Sequence, residues 1–229
     1  MRTEDHLVYA RRMVDHLKIS RPKRLAFKLG CIMPDYNKFT YLGHHVRDFS
    51  QGHSYRARKR EIAVFFHRPY RGTLIWWYRA GLRIHYLGDS FSRPHQPEFN
   101  YKSKPHVSYE WELHDLMAEF LHGPGKWTAA HVSKPLHLWL EERHETYMKE
   151  TRGQEDDSYY IETTLMGVWH WVEMHKLPPE LLPPELQAER RRADQKRKTA
   201  PKKTAPSGAK AGQMQKKKRK MVQNKEKVN

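Results

Sequence analysis

One cysteine, Cys31, stands in the 229 residues of this chain. No intrachain disulfide is therefore possible, and a zinc site would have to draw on His and carboxylate donors. Long apolar runs are missing as well. None approaches the roughly 20 residues that cross a bilayer, and Met1-Arg-Thr-Glu-Asp-His6 has no apolar core of a secretory leader. A cytoplasmic chain, at most peripheral to a membrane, is the expectation. No stretch sustains the alternation of a strand, and no hairpin turn signal joins two such stretches.

Acid is scarce at the C-terminal end. From Arg190 to Asn229 there are 16 Lys/Arg, opposed only by Asp194 and Glu226. The whole chain has 43 Lys/Arg against 26 Asp/Glu, a formal charge of +17, so the body before this stretch is nearly balanced. With almost no apolar residues, 188–229 reads as a disordered basic tail. Such a tail is either a solvated appendage or an electrostatic attachment to nucleic acid or an anionic membrane surface. The near-repeat Leu177-Pro-Pro-Glu-Leu-Leu-Pro-Pro-Glu185 reads as an extended connector over 177–187. Residues 1–176 are left for one domain, expected to be monomeric and rich enough in Trp, Tyr, Phe and Leu for a core.

Helical periodicity runs through that body. Thr3 or Asp5 can cap a helix to about Leu17, with Leu7, Ala10, Met13, Val14 and Leu17 as its apolar stripe. Pro22 to Ile32 reads as a short helix ended by Pro34, and Asp35 to Gly52 as a loop. Further helices are expected from near His53 to Phe66, Gly72 to Asp89, Pro105 to about Leu121, Pro135 to Thr151 and Ser158 to His175. The expected fold class is all-α, a single multi-helix domain. Trp76 and Trp77, on the most apolar helix, read as core rather than as a lipid-contact surface.

Histidine is abundant, with 16 residues. His85/Asp89 and His106/Glu110 are spaced so that imidazole and carboxylate share one helix face, the arrangement by which a helix offers two ligands to one metal. His95 follows Pro94 and can swing in from a connecting segment. Four His-x-x-x-acid pairs occur, where chance supplies about two. Spacing alone thus favours salt bridges on helix surfaces. Order is more specific: His85-Tyr86-Leu87-Gly88-Asp89, then Pro94-His95, then His106 with Tyr109 and Glu110.

That order, over residues 85–110, resembles the zinc-dependent phospholipase C family, which shares its helical fold with single-strand-specific zinc nucleases. The rest of the chain matches more loosely. The resemblance implies three zinc ions, or two if the N-terminal position is lost. Two ions form a pair bridged by Asp89, with His85 on one of them. The third is held by His95, His106 and Glu110, a set that leaves a position open. Gly30-Cys31-Ile32-Met33-Pro34-Asp35 is similar to the family's Pro-Asp element, which implies Asp35 as a metal ligand and as the group orienting the attacking water. The histidine partner is open among His44, His45 and His53. His53 is favoured because Gly52-His53-Ser54-Tyr55 resembles the family's Gly-His-x-Tyr element. His6 matches the histidine that joins an N-terminal Trp in secreted members. Here Met1 stands in place of that Trp, and its backbone atoms can in principle substitute.

Three functions follow as expectations. The first is a zinc-dependent phosphoester hydrolase that cleaves the headgroup phosphodiester of a phospholipid. The second is a nuclease or phosphodiesterase of the same fold. The third is a non-catalytic, zinc-stabilised module that binds RNA or anionic membrane through its tail.

Overall fold

The structure, a computed structural model, describes residues 1–36, 52–96, 105–122 and 128–199, apart from the side chains of residues 105, 106 and 119–122. Eight α-helices and no strand occur among the described residues: α1 (Thr3–Val14), α2 (Arg21–Tyr36), α3 (Tyr55–His67), α4 (Leu74–Asp89), α5 (Pro105–His122), α6 (Leu136–Glu150), α7 (Gln154–His175) and α8 (Pro184–Thr199). The all-α expectation holds. Residues Met1–Ala188 form one compact unit.

The central helix is α4, which packs on α1, α2, α3 and α7. The Thr73 hydroxyl caps it by accepting from the Trp76 amide at 3.1 Å, which satisfies one of the free amides of the first turn. Trp76 and Trp77 are buried, so both belong to the core. Phe27 lies against the rings of Trp77 and Trp169, and the Trp169 indole N–H donates to the Met13 carbonyl at 2.7 Å. That bond satisfies a polar group which burial would otherwise leave costly.

Two glycines bring α2 and α4 together. A Cβ on Gly30 would sit 2.1 Å from the Tyr78 carbonyl oxygen, and one on Gly81 would sit 2.2 Å from the Phe27 carbonyl oxygen. Backbone therefore rests on backbone, an approach that any side chain would prevent. Phe27 meets Trp77, Gly30 meets Gly81 and Cys31 meets His85, so the two helices advance in the same sense. Their C-terminal ends finish side by side.

Several boundaries differ from the sequence reading. Pro34 does not stop α2. It removes one hydrogen bond, but it is buried and the last turn continues to Tyr36, so Asp35 sits on a helix end rather than in a loop. The N-cap of α1 is Arg2 rather than Thr3 or Asp5, and its amide donates to the Asp5 carboxylate at 3.1 Å. In α1, Asp5 and His6 take buried places while Leu7 is half-buried. α7 begins at Gln154, four residues before Ser158, because Glu155, Asp156 and Asp157 suit the positive end of a helix. Residues 184–199 correct the expectation of an extended connector and disordered tail in this part. Pro184 starts α8, and Lys196, Arg197 and Lys198 suit its C-terminal end. The preceding segment is docked through its leucines, with Leu177 and Leu182 buried and the Lys18 amide donating to the Leu181 carbonyl at 2.8 Å. Residues 200–229, the remainder of the expected tail, lie outside the described residues.

His144 on α6 stacks on Tyr55 with ring centroids 4.2 Å apart, and its buried Nε2 has no hydrogen-bond partner among the described residues. Burial holds its pKa down at about 4. The unfolded chain thus takes up this proton first as the pH falls, and stability present above pH ~6.5 is lost toward the folded value. His144→Phe should flatten the decline of stability between pH 7 and 5, read as Tm, a change of up to about 2 kcal/mol. An unchanged pH profile would contradict this. Gly81→Ala should lower stability by about 1–3 kcal/mol in urea denaturation, because α2 must move away from α4. A midpoint equal to that of the parent chain would show that the glycine contact is not under constraint.

Candidate metal centre

The C-terminal turn of α4 carries His85 and Asp89, both buried. His85 Nδ1 lies 2.8 Å from the Cys31 carbonyl oxygen. A carbonyl only accepts, so Nδ1 carries a proton and Nε2 is the nitrogen that faces inward. That Nε2 is 3.1 Å from Asp89 Oδ2 and 3.5 Å from Asp35 Oδ1. The glycine contact between α2 and α4 sets this reach, and the Thr3 hydroxyl donates to Asp35 Oδ2 at 2.6 Å. From α1, His6 Nε2 comes within 3.2 Å of Asp89 Oδ1, and the His6 ring stacks on His85 at 3.9 Å. His6, Asp35, His85 and Asp89 offer donor atoms that all lie within 4.8 Å of one another.

A second group shares Asp89. His53 and His95 join it, again with donor atoms within 4.8 Å of one another. His53 precedes the N-cap of α3, where the Ser54 hydroxyl accepts from the Ala57 amide. Buried Arg58 fixes this entry. Its Nε donates to the Gly52 carbonyl at 2.6 Å, Nη1 pairs with Glu61, and the guanidinium lies 4.2 Å from the centre of the Tyr86 ring. His53 Nδ1 contacts Asp89 Oδ2 closely and stands 3.3 Å from His85 Nε2. His95 ends the short 3-10 turn Arg93–His95, with Nε2 3.6 Å from Asp89 Oδ1 and 3.4 Å from Glu110 Oε1 on α5. The Met1 amino group completes this side, 3.0 Å from Glu110 Oε1, 3.3 Å from His95 Nε2 and 3.5 Å from Asp89 Oδ1.

The electrostatics suit a cation. Burial opposes ionisation of Asp89, but His95, His85, the Met1 amino group and His6 overcome it and hold the carboxyl well below its ordinary range. Glu110 is also held low, against its burial, by the Met1 amino group and His95. Burial presses the His6 pKa down, helped by neighbouring His85, and presses His53 down to about 4. His85 goes the other way, because Asp89 outweighs its burial. Inward-facing imidazole nitrogens around ionised carboxylates form the donor set that a zinc ion requires, and the residues fit that group. The Met1 amine competes. Burial would lower its pKa, but Asp89 and Glu110 raise it to about 10, so it must lose a proton before it can act as a donor.

Of the residues expected from sequence, His6, Asp35, His53, His85, Asp89, His95 and Glu110 come together in this centre. The grouping is different in detail: His6 joins Asp35 and His85, and His53 joins His95. His106 begins the turn of α5 that leads to Glu110, and its side chain lies outside the described residues, as do His44 and His45. Sequence reading missed three supports. Asp5, buried beside His6, is 2.6 Å from His114 Nδ1, which ties α1 to α5. His114 lies four residues after Glu110, on the same face, which was the available signal. Arg58 was hidden in an Arg-rich run, and no pattern marks the Cys31 carbonyl.

A family model described as zinc dependent phospholipase C matches residues 5–158, well over half of the chain. No curated protein and no solved structure matches it. The matched span runs from the first turn of α1 into α7 and includes every side chain of the two His/Asp groups. By fold, by the residues gathered around Asp89 and by this match, the chain belongs to the zinc dependent phospholipase C family.

Proposed function

We propose that the chain is a zinc-dependent hydrolase that cleaves the glycerol-side phosphodiester of a phospholipid. The observation that carries this reading is the buried Asp89 carboxylate, shared between two groups of His/Asp donors in a chain of this family. His6, Asp35, His53, His85, Asp89, His95, His106 and Glu110 are the proposed zinc ligands. Zinc held there supplies Lewis acidity toward water and phosphoryl oxygens.

The chain's own residues set the conditions for that chemistry. Asp89 spreads one negative charge over both groups, Oδ1 toward His6 and His95 and Oδ2 toward His53 and His85. His85, held by the Cys31 carbonyl, cannot rotate away. Asp35 is more accessible than Asp89 and is oriented by the Thr3 hydroxyl, so it is the carboxylate proposed to orient the attacking water and accept its proton. The Lys/Arg-rich C-terminal stretch supports an anionic surface as partner, either a membrane or nucleic acid. No helix among the described residues is long and apolar enough to cross a membrane.

Purified protein should carry about two to three equivalents of zinc, and chelation should lower its Tm. It should release a phosphorylated headgroup from phosphatidylcholine vesicles, and Asp89→Asn should reduce both zinc content and turnover, turnover by more than about 100-fold. Zinc-free protein with a melting curve indifferent to chelator would overturn the metal reading. Cleavage of a single-stranded oligonucleotide without headgroup release would transfer the activity to the nuclease branch of the fold.

A further inference from the structure

A carboxylate outside the donor set holds two of its segments. Asp157, in the first turn of α7, is fully buried. Its Oδ2 accepts from the Arg93 backbone N–H at 2.6 Å and from the Tyr109 hydroxyl at 3.0 Å. Its Oδ1 accepts from the Tyr147 hydroxyl of α6 at 2.9 Å. Arg93 opens the turn that ends in His95, and Tyr109 immediately precedes Glu110. One oxygen atom therefore gathers the two segments that carry His95 and Glu110, whose own donor atoms stand 3.4 Å apart. The Arg93 guanidinium reinforces this by donating to the Thr151 carbonyl at 2.7 Å, at the end of α6.

We propose that Asp157 is a positioning residue for the side of the metal centre formed by His95 and Glu110, acting through Oδ2, while Oδ1 serves the core through Tyr147. The proposal rests on the metal-centre reading above. His95 sits on a turn of three residues, which lacks the internal hydrogen-bond ladder of a helix, so a bond to its first amide governs where the imidazole points. Glu110 depends on how α5 is rotated about its axis, and a hydroxyl on the neighbouring residue, anchored in α7, limits that rotation. Metal sites are commonly tuned in this way by groups that hydrogen-bond around the ligands rather than to the ion. The fold alone does not favour this residue. Burial raises the Asp157 pKa to about 6, even though the Arg93 amide and both tyrosines oppose the rise. At neutral pH the protein thus keeps an ionised carboxylate in a place that resists it, and an apolar side chain would suit the core better.

The two tyrosines separate positioning from packing, because each gives one hydrogen bond to the same carboxylate. In the full-length chain, zinc affinity of Tyr109→Phe and Tyr147→Phe would be measured by competition with a chromophoric chelator, with melting of the chelator-treated proteins recorded alongside. Tyr109→Phe should weaken zinc binding about 10-fold or more, whereas Tyr147→Phe should leave it within about twofold despite a similar drop in melting temperature. Asp157→Asn, if it folds, should follow Tyr109→Phe. Equal losses of zinc affinity in both tyrosine variants, or none in Tyr109→Phe, would overturn the proposal and make Asp157 a packing residue. A parent chain that takes up no zinc would overturn the metal-centre reading and this proposal with it, whereas a parent chain that binds zinc no better than Tyr109→Phe overturns this proposal alone.

Discussion

An ionised carboxylate almost without solvent contact is the constraint around which this domain is arranged. Moving such a group out of water costs several kcal/mol even after the protein relaxes, and Asp89 is buried on α4, the most centrally packed helix. Its compensation comes from imidazoles and an amino group that arrive from four separate segments. The supporting features read as ways of keeping those nitrogens aimed at one carboxylate. Backbone contact at Gly30 and Gly81 sets the reach of α2, the Cys31 carbonyl fixes the His85 tautomer, and Arg58 closes the entry to α3. Local rules are broken where the chemistry lies, with charge buried and rings of like character stacked, and the apolar core around Trp77 and Trp169 bears the cost.

How much of this could be read in advance depended on whether the signal was periodic. α4 was readable because its apolar run ends in a motif whose spacing places His85 over Asp89. α5 and α6 were readable from proline starts and apolar spacing. Asp35 was found as a residue but misplaced in kind, since proline normally ends a helix and here the last turn survives by being packed. The first turn of α7 was missed because it is acidic rather than apolar, and α8 because its stability comes from propensity and end charges, not from a buried face.

Within the centre, the side chains that point at the carboxylate were recognisable by type and order, and those that hold them in place were not. A backbone carbonyl has no letter of its own. A buried arginine looks like any other member of a basic run, and a buried aspartate in α7 looks like ordinary helix-end charge. Positioning groups of this sort are defined by three-dimensional neighbours with no fixed separation along the chain, and sequence spacing cannot reveal them.

The chain order of the donors has a consequence for how the protein matures. His85 and Asp89 share one helix and His106 and Glu110 another, while the rest are spread over α1, α2 and the segments that carry His53 and His95. No single turn of the unfolded chain can offer more than two of these donors, so the full set exists only once the helices have docked. Docking of α1, α2 and α5 around α4 is what brings the histidines to one carboxylate. An ion bound there would act as a lock on a topology already formed, and its residence time would measure how seldom those helices part.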